Sequence, residues 1–206
     1  MNELARNLAR REPLVPLVPI EEFQGPMQAM AERAVARSGR VPNQARAMAN
    51  AAELGATYRL FFEDLFVKAS LPPEFRFLIR YKVSTLNACL YCSAHQIKYM
   101  GQLGVGTDKI ANIHESDIHP AFDERERVAL AFAKAMTEDA ANIPEDVIRR
   151  LVATFTPAER VEIAMVSGAM GFMNKVNDAL RVPLEDAALD VVGTGIDPAR
   201  LGLAAE

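Results

Sequence analysis

Between residues 122 and 137 apolar side chains return at Val128, Phe132 and Met136, and between 143 and 155 Val147, Leu151 and Phe155 repeat the interval. A four-residue interval keeps side chains on one face of a helix, so each set predicts one amphipathic helix with a single buried stripe. Asp123 followed by Glu126 has the spacing of a capping box at the first of these, and Thr156-Pro157 opens a third helix. The middle of that third helix, in AERVEIAMVSGAMGFMNKVNDAL, is apolar nearly all round, which predicts burial on several sides. Upstream, residues 20 to 38 read as a helix ended by Ser38-Gly39. Asn43 is the expected N-cap of the next, and a long apolar helix through YRLFFEDLFVKA stops near LPPEF. Pro73 suits the first turn of a further helix, which carries Phe75, Leu78, Ile79 and Lys82 forward, and Thr107 or Asp108 is the expected cap of a later one. No run alternates strictly between apolar and polar positions, so the fold class is all-α, a multi-helix bundle.

The helical pattern has ends. Pro13, Pro16 and Pro19 favour an extended N-terminal arm over residues 1–19, which could lie across a neighbouring subunit. The helical domain then occupies 20–185, and past Pro183 the periodicity fades into VVGTGIDPARLGLAAE, which reads as a loose or partner-bound tail over 186–206.

Composition adds limits. With 206 residues, 50% hydrophobic and 24% charged, the chain can bury a real core as one domain. A formal charge of -4 with scattered cations offers no footprint for nucleic acid. The first residues lack the apolar core and cleavage site of a secretory signal, and no stretch is apolar for long enough to span a membrane. The expected location is the cytoplasm, where ordinary thiols stay reduced and a close cysteine pair points to catalysis or metal binding.

Both cysteines lie in LNACLYCSAHQ, residues 86 to 96, with His95 three residues after the second. On a helix Cys89 and Cys92 share a face one turn apart and can come within disulfide reach. The thiolate is the reactive form, so something must favour it. Asn87 is a candidate cap that would aim free N–H groups and the positive helix end at both sulfurs, and His95 is a candidate partner for the proton. Such a site has a nucleophilic sulfur with a resolving sulfur beside it, suited to oxidation by a peroxide, condensation to a disulfide and reduction by an external dithiol. Zinc would need a fourth ligand from Glu74, His114, His119 or another subunit, none at a recognisable spacing. Buried cysteines serving as small hydrophobes are the plainer alternative, as packing is for Tyr91 and for the Met and Phe side chains of 165–173. The cations near the motif in sequence, Arg76, Arg80 and Lys82, form no cluster that would seat a substrate carboxylate.

CLYCSAH, preceded by LIRYKVSTLN and followed by a G-x-LG turn, resembles the alkylhydroperoxidase D-like branch of the carboxymuconolactone decarboxylase family, in particular its peroxidase-related members. GRVPN, FDERERVALAFAKAMT and FMNKVNDALRVPLE extend the resemblance from about residue 20 to 185. It implies an alkylhydroperoxidase D-like helical fold assembled as a trimer or hexamer, with no metal or organic cofactor. It also implies Cys92 as the sulfur that attacks peroxide, Cys89 as its disulfide partner, His95 in the proton relay, and Tyr91 where some relatives carry a histidine. Phe77 stands where family members commonly have an acidic residue, and Glu74, one turn earlier, is the candidate replacement.

The function expected is therefore a thiol-dependent peroxidase-like oxidoreductase acting on a hydroperoxide and an external dithiol. A lyase of the carboxymuconolactone decarboxylase kind, acting on a cyclic lactone acid, and a non-enzymatic redox-sensing helical oligomer are the alternatives.

Overall fold

A computed structural model describes residues 12–185. Among them are nine α-helices: α1 Pro26–Ser38, α2 Asn43–Met48, α3 Ala52–Val67, α4 Pro73–Leu86, α5 Leu90–Gln102, α6 Thr107–Ala111, α7 Glu124–Asp139, α8 Glu145–Thr154 and α9 Pro157–Ala179. Short 3-10 turns at 20–22, 49–51 and 113–115 link them, and no strand occurs among the described residues.

The centre of the molecule is α4. Every residue from Arg76 to Thr85 is buried, because α5, α7 and α9 pack around it. Leu78, Ile79, Val83, Leu130, Ile163 and Met170 meet in this core, each contributing about 1.5–3 kcal/mol of hydrophobic stabilisation by burial. Lys82 lies inside it too. Its ammonium donates to the Ile113 carbonyl (2.8 Å) and Ser116 Oγ (3.1 Å), fastening the 113–116 turn to α4, and burial lowers it to about 8. A smaller cluster around Met27, Met30, Ala34 and Ala45 joins α1, α2 and α3. There Gly55 presses against the end of α2: a Cβ on it would stand 2.6 Å from the Met48 carbonyl oxygen.

The structure revises several expected boundaries. Both capping boxes form, Asp123 with Glu126 and Thr156 with Glu159, and Pro73 opens α4. Residues 20–38 do not form one helix, because Gly25 at φ 54° breaks the chain before Pro26 starts α1. Neither expected asparagine is the N-cap of a helix. Pro42 precedes α2 while Asn43 is its first residue, and Asn87 ends α4. Gly106 holds the cap position of α6, ahead of Thr107. The third C-terminal helix is less enclosed than its composition predicts, since α9 exposes Val161, Met165 and Phe172. The described part of the N-terminal arm lies on its own chain: Leu14 N–H donates to the Leu180 carbonyl, and Val18 N–H to that of Arg46. Residues 1–11 and the tail 186–206 lie outside the described residues.

Candidate active site

The cysteines follow a tight reversal. The last turn of α4 closes with Ala88 at φ 53°, Ala88 N–H donating to Thr85 and Cys89 N–H donating to Ser84 across the turn. That double bond pattern ends a helix with a left-handed residue, a place where glycine is usual and alanine is strained. The next residue, Cys89, occupies the N-cap of α5, and Cys92 follows in its first turn. There the amides that have no helical acceptor, and the positive end of the helix dipole, face any charge on sulfur. Cys92 Sγ also accepts a hydrogen bond from Asn177 Nδ2 at 3.2 Å. Both thiols are free and buried. Burial, a hydrogen bond with Cys92 and the charge there push the Cys89 thiol up.

One helical turn after Cys92 stands His95. Its Nδ1 lies 2.8 Å from the Tyr91 carbonyl oxygen, which can only accept, so Nδ1 carries a hydrogen. Nε2 is then the nitrogen that exchanges a proton, and it stands 3.0 Å from Glu185 Oε2. The other oxygen of Glu185 accepts from the Tyr91 hydroxyl (2.9 Å) and from the Asn43 amide at the start of α2 (2.6 Å). Burial alone would raise this carboxyl, but the contact with His95 and the Asn43 amide outweigh it and hold Glu185 at about 2. Gln44 closes the ring: its amide donates to the Tyr91 hydroxyl, and its Nε2 donates to Oδ1 of the same Asn177 that touches Cys92.

Cys92, Tyr91 and His95 line a cavity of about 500 Å³, while Cys89 does not reach it. Phe62, Phe77, Tyr99 and Met173 supply apolar wall. Phe77 packs its ring 5.5 Å from that of Tyr99, and the Arg80 guanidinium lies 4.9 Å over its face. Burial lowers Arg80 to about 10, while the nearby charge of Cys92 pulls it upward.

Of the residues expected at the site, Cys92, His95 and Tyr91 come together, with Cys89 behind them. Glu74 does not join: it is exposed in the first turn of α4, and the carboxylate against His95 is Glu185. His114 and His119 also stand apart, and among the described residues no three His, Cys, Asp or Glu side chains gather to hold a metal. The cations revise the sequence reading most. Arg76 turns away to the Leu65 carbonyl and Lys82 to the 113–116 turn, but Arg80 is joined at the cavity by Arg40, Arg59 and Lys98. Sequence reasoning missed Gln44, Asn177, Glu185 and these three cations. The family-like stretch FMNKVNDALRVPLE contains Asn177 and Glu185, and GRVPN contains Arg40 and ends one residue before Gln44, so these stretches were the available signal.

The model of the carboxymuconolactone decarboxylase family matches residues 52–135. The protein YnjA of Escherichia coli (strain K12) is 21% identical over 118 residues, 57% of this chain and 65% of its own length. An uncharacterized peroxidase-related protein from Silicibacter sp. TM1040 is 26% identical with a TM-score of 0.76, covering 86% of this chain and 95% of that one. The debrominase Bmp8, as a cysteine-to-alanine variant in complex with 2,3,4-tribromopyrrole, has a TM-score of 0.78 at 22% identity, over 89% of this chain and 97% of its own. Among the described residues no helix is long and apolar enough to cross a membrane.

Proposed function

Residues 52–135 match the carboxymuconolactone decarboxylase family, and from that match we propose that the protein is a cytoplasmic thiol-dependent peroxidase-like oxidoreductase. The observation that carries the reading is the unlike placement of two neighbouring sulfurs: Cys92 opens on the cavity from the first turn of α5, and Cys89 sits behind it, its thiol pushed up by burial. The Cys92 thiolate attacks the outer peroxide oxygen and the O–O bond breaks. Sulfur is oxidised to sulfenic acid, and the departing alkoxide takes a proton and leaves as alcohol. His95 is placed to deliver that proton and to recover one through Glu185, with the Tyr91 hydroxyl holding the carboxylate in position. Cys89 then displaces water from the sulfenic acid to give the Cys89–Cys92 disulfide, and an external dithiol reduces it by exchange.

Mass spectrometry after one equivalent of cumene hydroperoxide tests this. Wild type should gain the disulfide, Cys89→Ser should stall as sulfenic acid on Cys92, and Cys92→Ser should lose turnover. A Cys92→Ser protein that still consumes peroxide at the wild-type rate sinks the proposal.

A second reading is favoured by the aromatic wall of the cavity and by likeness to a debrominase fold. The same thiolate takes bromine from a brominated ring, the ring carbon gains a proton, and Cys89 displaces bromide to leave the same disulfide. Release of bromide, matched one to one with disulfide, distinguishes it from peroxide reduction.

Assembly as a homo-oligomer is part of the proposal. Leu54 and Phe61 on α3 and Met165 and Phe172 on α9 are exposed apolar side chains, and the ring of Tyr58, between the first two, packs 5.5 Å from that of Phe172. Light scattering should return a mass of three or six chains, and Leu54→Glu with Phe61→Glu should lower it.

A further inference from the structure

The wall of the Cys92 cavity is strongly one-signed. Arg40, Arg59, Arg80 and Lys98 line it against one carboxylate, Glu63, which is itself 3.5 Å from Arg33. These cations come from the loop before α2 and from α3, α4 and α5, so no single amphipathic face accounts for their meeting. They also crowd one another: the charge of Arg59 acts unfavourably on Arg80, and that of Arg40 on Lys98. Like charges gathered around a partly dry space raise the local positive potential, which draws an anion in. One further donor is left over among the lining side chains: the buried Nε of Arg59 has no hydrogen-bond partner, and buried donors are normally satisfied.

We propose that this cavity selects an organic anion: a hydroperoxide with an apolar, ring-sized body that carries a carboxylate, seated by Arg40, Arg59 and Lys98 while the peroxide reaches Cys92. Arg80, whose charge interacts with that of Cys92, serves the sulfur. Lys98 follows Cys92 on α5 by six residues, about 9 Å along the axis, so the acid belongs at the end of the body away from the peroxide. Phe77 and Tyr99 give the body a flat apolar wall. The inference rests on the peroxidase reading for what reacts at Cys92, whereas the preference for an anion rests on the cavity wall.

The test compares kcat/KM for cumene hydroperoxide and its para-carboxylated form, with dithiothreitol as reductant, in wild type, Lys98→Gln and Lys98→Arg. Wild type should prefer the carboxylated compound by about tenfold or more, the worth of one charge-assisted hydrogen bond. Lys98→Gln should lose most of that preference through KM, Lys98→Arg should restore it, and added salt should erode it. Equal use of both compounds by wild type, or an unchanged preference in Lys98→Gln, overturns the proposal and leaves the peroxidase reading standing. If neither compound is turned over, the peroxidase reading falls, and calorimetric titration with para-isopropylbenzoate and para-isopropylbenzamide decides the rest. Benzoate binding that weakens in Lys98→Gln supports the anion site, and no binding or equal binding of the two overturns it.

Discussion

The family-matched segment 52–135 and the chain on either side of it contribute different things to one site. The segment holds Cys89, Cys92, His95, Tyr91 and Arg80, the thiol pair and side chains around it. The flanks bring Arg40, the Asn43 amide and Gln44 from before it, and Asn177 and Glu185 from after it. Inside the segment the decisive geometry is local, one turn of chain and the first turn of α5. In the flanks it is made by return: Asn177 lies 85 residues after the cysteine it touches, and Glu185 lies 142 after the amide it accepts from. The segment thus carries the cysteine pair, while the carboxylate beside His95 comes from the flank.

Replacing Glu185 by Gln strikes the flank where it meets the core and should have the largest effect. Peroxide turnover should fall by about a hundredfold through kcat, the lower end of what a positioned proton-transfer group supplies, while Cys92 still forms the disulfide slowly. The same variant has a pH signature. The folded carboxyl titrates at about 2 against 4.5 for an ordinary one, so it stabilises the fold fully above about 4.5 and that stabilisation fades as pH falls toward 2. Urea midpoints measured across that window should decline less steeply in Glu185→Gln than in wild type.

Gly55→Ala tests the seam between the regions. Its methyl would meet the backbone of Met48 at 2.6 Å, which side-chain motion cannot relieve, so α2 must shift. A loss of about 1–3 kcal/mol in denaturant unfolding is expected, with a rise in KM because Gln44 and the Asn43 amide move with α2.

Thr156→Ala, in a flank but away from the cavity, should cost about 1 kcal/mol by removing half of a capping box and leave kcat and KM unchanged. A change in KM would mean that the flank acts as one body. Smallest is Ala88→Gly, within the family segment. Relieving a left-handed alanine should raise stability by up to about 1 kcal/mol in thermal unfolding, and the sulfur spacing should survive because both turn hydrogen bonds are backbone ones.

How far the amino-acid order disclosed this arrangement follows the same division. Helices α7 and α9 were legible because their starts are written within four residues, Asp123 to Glu126 and Thr156 to Glu159. The caps expected of Asn43 and Asn87 failed because tertiary partners claim their side chains: Asn43 Nδ2 donates to the Pro183 carbonyl and Asn87 Nδ2 to Asn174 Oδ1. Burial of α9 was over-read because Val161, Met165 and Phe172 are apolar yet turned outward, and composition does not say which face lacks a neighbour. The dithiol with His95 was legible from spacing alone. The acid was not, because Glu74 is near in sequence while Glu185 is near in space, brought back by the irregular stretch after α9. The gathering of Arg40, Arg59 and Lys98 was invisible for the same reason, each ordinary in its own helix or loop.

The return of Glu185 has a consequence in time as well as in space. It is joined to the growing chain 93 residues after Cys92, behind all nine described helices, so the thiol pair exists through most of synthesis without the carboxylate that contacts His95 and Tyr91. Until the ribosome has released that stretch, the cysteines belong to an unfinished cluster, completed only after the helices around them have been made.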